Sequence, residues 1–273
     1  MIKLAAFDMD GTLLDNNHKI SAKNKQALQM LLDQNIKVVI ATGRPNDLIK
    51  EYIQDLNINE YVITCNGSVI YNHFTEEFLY YDKIDQETIK RVVNYLRTND
   101  IDFLVYEKNF IASYNDNERY LFFTESNKRL PQNVQAKFIH FDSLNKAPDE
   151  LDINKILIIE NDQKKYLDAL HYLQAFNGIS VTQSRNTFID IGPECNSKGN
   201  ALKILTDVYN IKASEIIAFG DQLNDISMLK YAGIGVAMGN AKDEVKKHSD
   251  QITLSNDEDG VFHKINELLN SNK

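Results

Sequence analysis

The stretch IKLAAFDMDGT, residues 2–12, decides how the rest of the chain is read. Ile2 to Phe7 is a short, almost unbroken apolar run, as expected of a central parallel strand covered on both faces. It stops at Asp8, and Asp10 follows two residues later. Alternate residues of an extended chain share a side. The two carboxylates can therefore face one cavity at the carboxyl edge of a sheet, where α/β folds bind ligands.

Outward from this strand, Ser21 is placed to cap a helix with apolar Ala27, Leu28, Leu31 and Leu32 at helical spacing. Val38 to Ala41 reads as a second buried strand and stops at Thr42-Gly43-Arg44. Pro45 opens a helix through about Leu56, and Tyr61 to Thr64 is a third strand running into Cys65-Asn66-Gly67-Ser68. Strand, helix, strand, helix, strand implies a parallel sheet with right-handed crossovers. The Asn-Gly pair also signals a hairpin there.

From about Ile84 to Asp190 the character changes to a helix, aromatic-rich strands, a second helix and a closing strand pair. After Gly192-Pro193 the parallel pattern returns: a helix from Lys198, the strand IIAFG, a helix after Asn224, GIGVAM, another helix and QITL. The predicted fold is α/β: a doubly wound, Rossmann-like parallel-sheet core, residues 1–83 and 191–273, interrupted by an inserted α+β domain, residues 84–190. The acidic loop SNDEDG, 255–260, reads as solvated surface.

Composition narrows the function classes. Hydrophobic residues make up 43% and charged residues 25%, the mix of an ordinary globular protein. A formal net charge of −9 argues against nucleic acid or an anionic membrane as partner, because both reward basic surfaces. With no signal-peptide layout and no run of eighteen apolar residues, the expected location is cytoplasmic. The two cysteines, Cys65 and Cys195, and the six histidines form no zinc-binding spacing.

Four short segments carry chemistry. Asp8 and Asp10 can divide labour between an ionised nucleophile and a carboxyl that serves as general acid and then base. Thr42-Gly43 offers a hydroxyl and backbone N–H groups for a phosphate. Lys198, opening a helix, can neutralise a phosphoryl oxygen or orient a carboxylate. Asp221 and Asp225, after the strand IIAFG, add two acids at the same sheet edge. So many acids beside a phosphate require a hard divalent cation between them, and oxygen-only ligands point to Mg2+.

With DMDGTLLD, ATGRP, CNGS, SKGNALK and AFGDQLNDISMLKYAGIGVAMGNA in this order, the whole chain closely resembles the haloacid dehalogenase superfamily, specifically its Cof-type phosphatases (subfamily IIB, with a C2 cap). The resemblance implies hydrolysis of a small phosphorylated metabolite through an aspartyl phosphate. Asp8 would attack phosphorus, and Asp10 would protonate the leaving oxygen and then deprotonate water. Mg2+ would be held by Asp8, the Asp10 backbone carbonyl and Asp221, with Asp225 in support. Met9 N–H, Thr42, Gly43, Lys198 and Asn224 would hold the phosphoryl group, with Arg44 and Asn66 shaping the site.

Substrate classes implied are sugar phosphates, pyridoxal phosphate and flavin mononucleotide, selected by the inserted domain, in a monomer or weak homo-oligomer. Cys195 stands where the family often has glycine and places a thiol close in sequence to Lys198. Competing readings are a sugar-phosphate mutase or narrow sugar phosphatase of a neighbouring branch, and a non-enzymatic phospho-acceptor or binding protein. A receiver domain would be far shorter, and a P-type pump would need membrane spans.

Overall fold

In the computed structural model, which describes residues 1–141, 150–185 and 187–270, a five-stranded sheet runs Gln251–Ile252, Ile234–Ala237, Ile216–Gly220, Leu4–Phe7, Lys37–Ile40. Every neighbouring pair is parallel. All four residues of Leu4–Phe7 are buried, as the unbroken apolar run requires. The chain first winds outward through Lys37–Ile40 and later returns on the other side of Leu4–Phe7 through Ile216–Gly220. Strand order therefore reverses at Leu4–Phe7, and the crevice beyond its carboxyl end is the switch point of a doubly wound sheet.

Local signals explain the elements around it. Ser21 caps the helix Ala22–Leu32 by accepting from the Asn24 N–H at 3.0 Å, and Ala27, Leu28 and Leu31 are its buried stripe. Ser197 caps Lys198–Tyr209 in the same way, and Asn210, at φ 53°, ends it in the left-handed conformation that Asn tolerates.

Three local expectations change. The single helix from Pro45 to Leu56 is two pieces, a short 3-10 turn Asn46–Leu48 and a helix Lys50–Leu56. Ile49 between them, at φ −119°, leaves the helical screw. The third strand, Val62–Thr64, joins a separate three-stranded sheet instead of the five-stranded parallel one; there it pairs antiparallel with Val69–Asn72, so the hairpin that Asn-Gly signals forms, through a connection with Cys65, Asn66 and Gly67 all at positive φ. The segment 255–260 also departs from a plain solvated loop. Asn256 is buried and donates to the Leu14 carbonyl at 2.9 Å, and the Asn16 N–H donates to Asp257 at 3.0 Å. This segment braces the loop that follows Asp8.

The chain divides into two units, Met1–Gly43 with Leu56–Leu79 and Ser197–Lys273, and Arg44–Asp55 with Tyr80–Asn196. The second holds a six-stranded sheet in the order Ile179–Arg185, Phe188–Pro193, Lys155–Ile159, Asp102–Tyr106, Ile111–Ser113, Phe138–His140. Its pairs are antiparallel except the last. Alternation sorts its side chains. Phe103, Val105, Ile156, Ile158, Ile189 and Ile191 pack with Ile89, Val92, Leu96, Ala169 and Leu173 of the helices Gln86–Thr98 and Gln163–Gln174.

Leu104, Tyr106, Leu157 and Ile159 pack in a separate cluster with Tyr120 and Leu48. That contact explains why Arg44–Asp55 groups with the second unit. The helix Glu118–Asn127 and the strand Phe138–His140 had no periodic signal in the sequence.

Within this sheet Lys155 and Asp190 form an ion pair at 2.6 Å with side chains only 8% and 5% exposed. Removing one partner would strand the other charge in the interior, which typically costs about 3–5 kcal/mol. Asp190→Ala is expected to lose stability on that scale in urea denaturation. The double replacement Lys155→Met with Asp190→Leu is expected to recover most of the loss.

Candidate active site

Three parallel strands end side by side and deliver their next residues to one edge. Asp8 follows Leu4–Phe7, and its N–H donates to the Phe219 carbonyl at 3.0 Å, which locks it beside the strand that ends at Gly220. Asp221 comes next on that strand. On the other flank Ala41 N–H donates to Phe7 and Thr42 N–H to Ile63, so Thr42 is held at the same edge. Beneath the acids the Phe7 and Phe219 rings stack at 5.0 Å.

Lys198 arrives on a helix. Gly199 N–H donates to the Ser227 hydroxyl at 3.1 Å, and a Cβ on Gly199 would run into the Ser227 carbonyl. This close approach brings the first residue of Lys198–Tyr209 against the turn before Ile226–Tyr231. The ammonium of Lys198 consequently sits 2.5 Å from both Asp8 Oδ1 and Asp225 Oδ1. The second oxygen of Asp225 accepts from the N–H groups of Asp221 and Gln222, at 2.9 and 2.8 Å.

Asp8, Asp221 and Asp225 are all buried and can each offer a carboxylate oxygen within 4.8 Å of the others. One buried ammonium faces three buried carboxylates. Burial, followed by repulsion from Asp225, holds Asp8 well above the usual carboxylate range, although Lys198 pulls the other way. Burial and then Asp225 push Asp221 up to about 6. For Lys198, burial disfavours the ammonium, but Asp225 and Asp8 outweigh it and hold the proton more tightly than usual.

The donor set fits a hard divalent cation. It is made of oxygen alone, and the excess of buried negative charge is what such an ion would neutralise. Asp225 is largely committed to Lys198 and two N–H groups, so Asp8 and Asp221 are the better placed ligands.

A second group adjoins the first in sequence. Asn66, in the left-handed turn, accepts at Oδ1 from Asn224 Nδ2 at 2.9 Å, and its N–H donates to the Thr42 carbonyl at 3.1 Å. A Cβ on Gly43 would lie 2.8 Å from that same Oδ1. Asn66, Thr42, Gly43 and Asn224 are thus brought together.

The remaining candidates have contacts of their own. Asp10 is 41% exposed and its carboxylate lies 3.5 Å from His18. Met9 is buried, and its carbonyl accepts from Thr12 and Leu14, tightening the loop. Arg44 lies over the Tyr52 ring, 5.3 Å from its centre, within the second unit. Cys195 is an exposed thiol.

Two residues that received no role from the sequence belong to the site. Thr12 Oγ1 donates to Asp221 Oδ1 at 3.1 Å, and Gln222 Nε2 donates to Asp221 Oδ2 at 2.8 Å. Thr12 stands inside the DMDGT segment and Gln222 directly after Asp221, so proximity to the motifs was the available signal.

This fold and this acid cluster define a hydrolase class, and comparison with known proteins agrees. The family model for haloacid dehalogenase-like hydrolases matches residues 5–265. The chain is 34% identical to a 5-amino-6-(5-phospho-D-ribitylamino)uracil phosphatase of Bacillus subtilis, over 98% of each chain. It is 32% identical to another phosphatase of the same organism, over 98% of this chain and 100% of the other.

Among solved structures, a haloacid dehalogenase-like hydrolase from Bacteroides thetaiotaomicron superposes with a TM-score of 0.85 at 30% identity, covering 98% of this chain and all of its own. A subclass IIB sugar phosphatase superposes at 0.82 with 27% identity, covering 97% and 98%. The chain belongs to the haloacid dehalogenase-like hydrolases, in the Cof-type branch that its motifs indicate.

A carboxyl whose proton affinity is raised by folding stabilises the fold below its ordinary value near 3.8, and that contribution is lost as pH rises through the folded value. Ionised Asp221 therefore weakens the metal-free protein above pH 6. Asp221→Asn is expected to raise the metal-free thermal midpoint at pH 7.5. The advantage should shrink as the pH of the melts is lowered from 7 to 5.

Proposed function

We propose that this protein is a Mg2+-dependent phosphatase of small phosphomonoesters that works through a phosphorylated Asp8. The observation that carries the reading is the Asp8–Lys198–Asp225 bridge at the switch point. It fixes one carboxylate in place at the mouth of a parallel sheet and sets a permanent cation beside it.

Lys198 orients Asp8 so that its other oxygen, Oδ2, is the attacking atom. Attack forms the Asp8–phosphorus bond and breaks the bond to the ester oxygen, and Asp10 supplies that oxygen with a proton. Partial exposure suits Asp10 to this work, because a general acid has to reach the leaving group and then a water. In the second half Asp10 takes a proton from water, whose oxygen displaces Asp8 from phosphorus and releases inorganic phosphate.

Thr42, Gly43, Asn224 and the Met9 N–H hold the phosphoryl oxygens, Asn66 fixes the Asn224 amide, and Lys198 supplies positive charge. Bound to Asp8, the Asp10 backbone carbonyl and Asp221, with Asp225 in support, Mg2+ would neutralise the carboxylates and the phosphate and stabilise charge in the transition state.

The relatives widen the substrate list. A ribitylaminouracil phosphate and sugar phosphates are supported by the names of similar proteins. Pyridoxal phosphate and flavin mononucleotide come from the family resemblance. Selection among them falls to the inserted unit, because the core residues deal with phosphate and metal alone. No described helix is long and apolar enough to cross a membrane. A cytoplasmic, monomeric or weakly associating enzyme with no nucleic-acid partner completes the proposal.

A panel of these esters with and without Mg2+, followed by phosphate release, tests it. Release is expected to require the ion and to vanish in Asp8→Asn. Release that persists in Asp8→Asn would rule out the aspartyl phosphate.

A further inference from the structure

Gln222 follows Asp221 in the sequence, yet its side chain turns back to its neighbour. Adjacent residues ordinarily point apart, and here the turn prevents it. The Gln222 N–H is drawn into Asp225 Oδ2 at 2.8 Å, and the Gln222 carbonyl accepts the Asp225 N–H at 2.9 Å. Asp225 Oδ2 also takes the Asp221 N–H, so one carboxylate pins the backbone of both residues. From that anchored position Gln222 Nε2 reaches Asp221 Oδ2 at 2.8 Å.

The other sides of the carboxylate are closed as well. Thr12 holds Oδ1 at 3.1 Å, and the Gly11 backbone, at φ 85°, lies so near that a Cβ would run into Asp221. Two torsions orient an aspartate side chain, and three contacts fix them here.

We infer that Gln222 is a positioning residue for Asp221, a clamp that holds this carboxylate in its ion-binding pose before the ion arrives. The inference rests on the reading of Asp221 as a metal ligand. A carboxylate has about four lone-pair positions, and two donors leave room for a cation. The choice of an amide has a physical reason. A second ammonium would repel the ion, whereas a neutral donor holds the carboxylate without competing for its charge.

Partners that orient metal ligands typically control affinity by about ten- to a hundredfold. Gln222 is half-exposed, so its replacement leaves the core intact.

The test is Mg2+ binding to the metal-stripped full chain by calorimetry, with thermal melts of the same metal-free samples. Gln222→Ala is expected to raise the Mg2+ Kd about tenfold or more with an unchanged metal-free midpoint.

A Kd in Gln222→Ala equal to that of the wild type would overturn the inference, and so would a fall in the metal-free midpoint that accounts for the weaker binding. Absence of Mg2+ uptake by the wild-type protein would instead overturn the metal reading beneath it. Uptake that survives in Asp221→Asn would remove Asp221 from the ligand set and the clamp with it.

Discussion

The buried bridge from Lys198 to Asp8 and Asp225 is the constraint on which the rest of this structure depends. Three carboxylates and one ammonium share a buried site, and such a cluster persists only where the scaffold forbids its dispersal. The scaffold does so from three directions: the end of the first strand, the end of the strand Ile216–Gly220 and the start of the helix Lys198–Tyr209. None of these ends can move without tearing parallel pairing or the Gly199–Ser227 contact.

The unbalanced charge is also the functional resource. An all-oxygen cluster with excess negative charge suits a divalent cation, and such an ion would lessen the repulsion between these carboxylates and an anionic substrate. The orienting contacts around Asp221 show how finely the cluster is arranged. Thr12 belongs to the loop after the first strand and Gln222 to the loop after the third core strand in chain order, so two distant segments meet on one side chain. The bracing of the first loop by Asn256, more than two hundred residues away, follows the same logic.

Much of this was legible in the sequence because each motif sits where a buried strand or a capped helix meets a polar loop. Apolar runs of strand length, the Ser21 and Ser197 caps and the position of Asp8 are local features, and local physics governs them. Other features were not legible, since they depend on what lies across the fold. The break at Ile49 accompanies the packing of Leu48 on the second sheet. The helix Glu118–Asn127 has a single buried residue, so it lacks the apolar stripe that would announce it.

By itself the sequence determined the α/β alternation, the interruption of the core, the family and where acids follow the buried strands, because strand length, capping and motif order are encoded in neighbouring residues. Only the tertiary structure decided how those acids are held. It commits Asp225 to Lys198 and two N–H groups, leaves Asp10 half-exposed, and recruits Thr12, Gln222 and Asn66 as orienting partners. The reason is that hydrogen-bond geometry and burial are properties of distances across the sheet edge, and residues 8, 12, 198 and 221 acquire such distances only when the strands align.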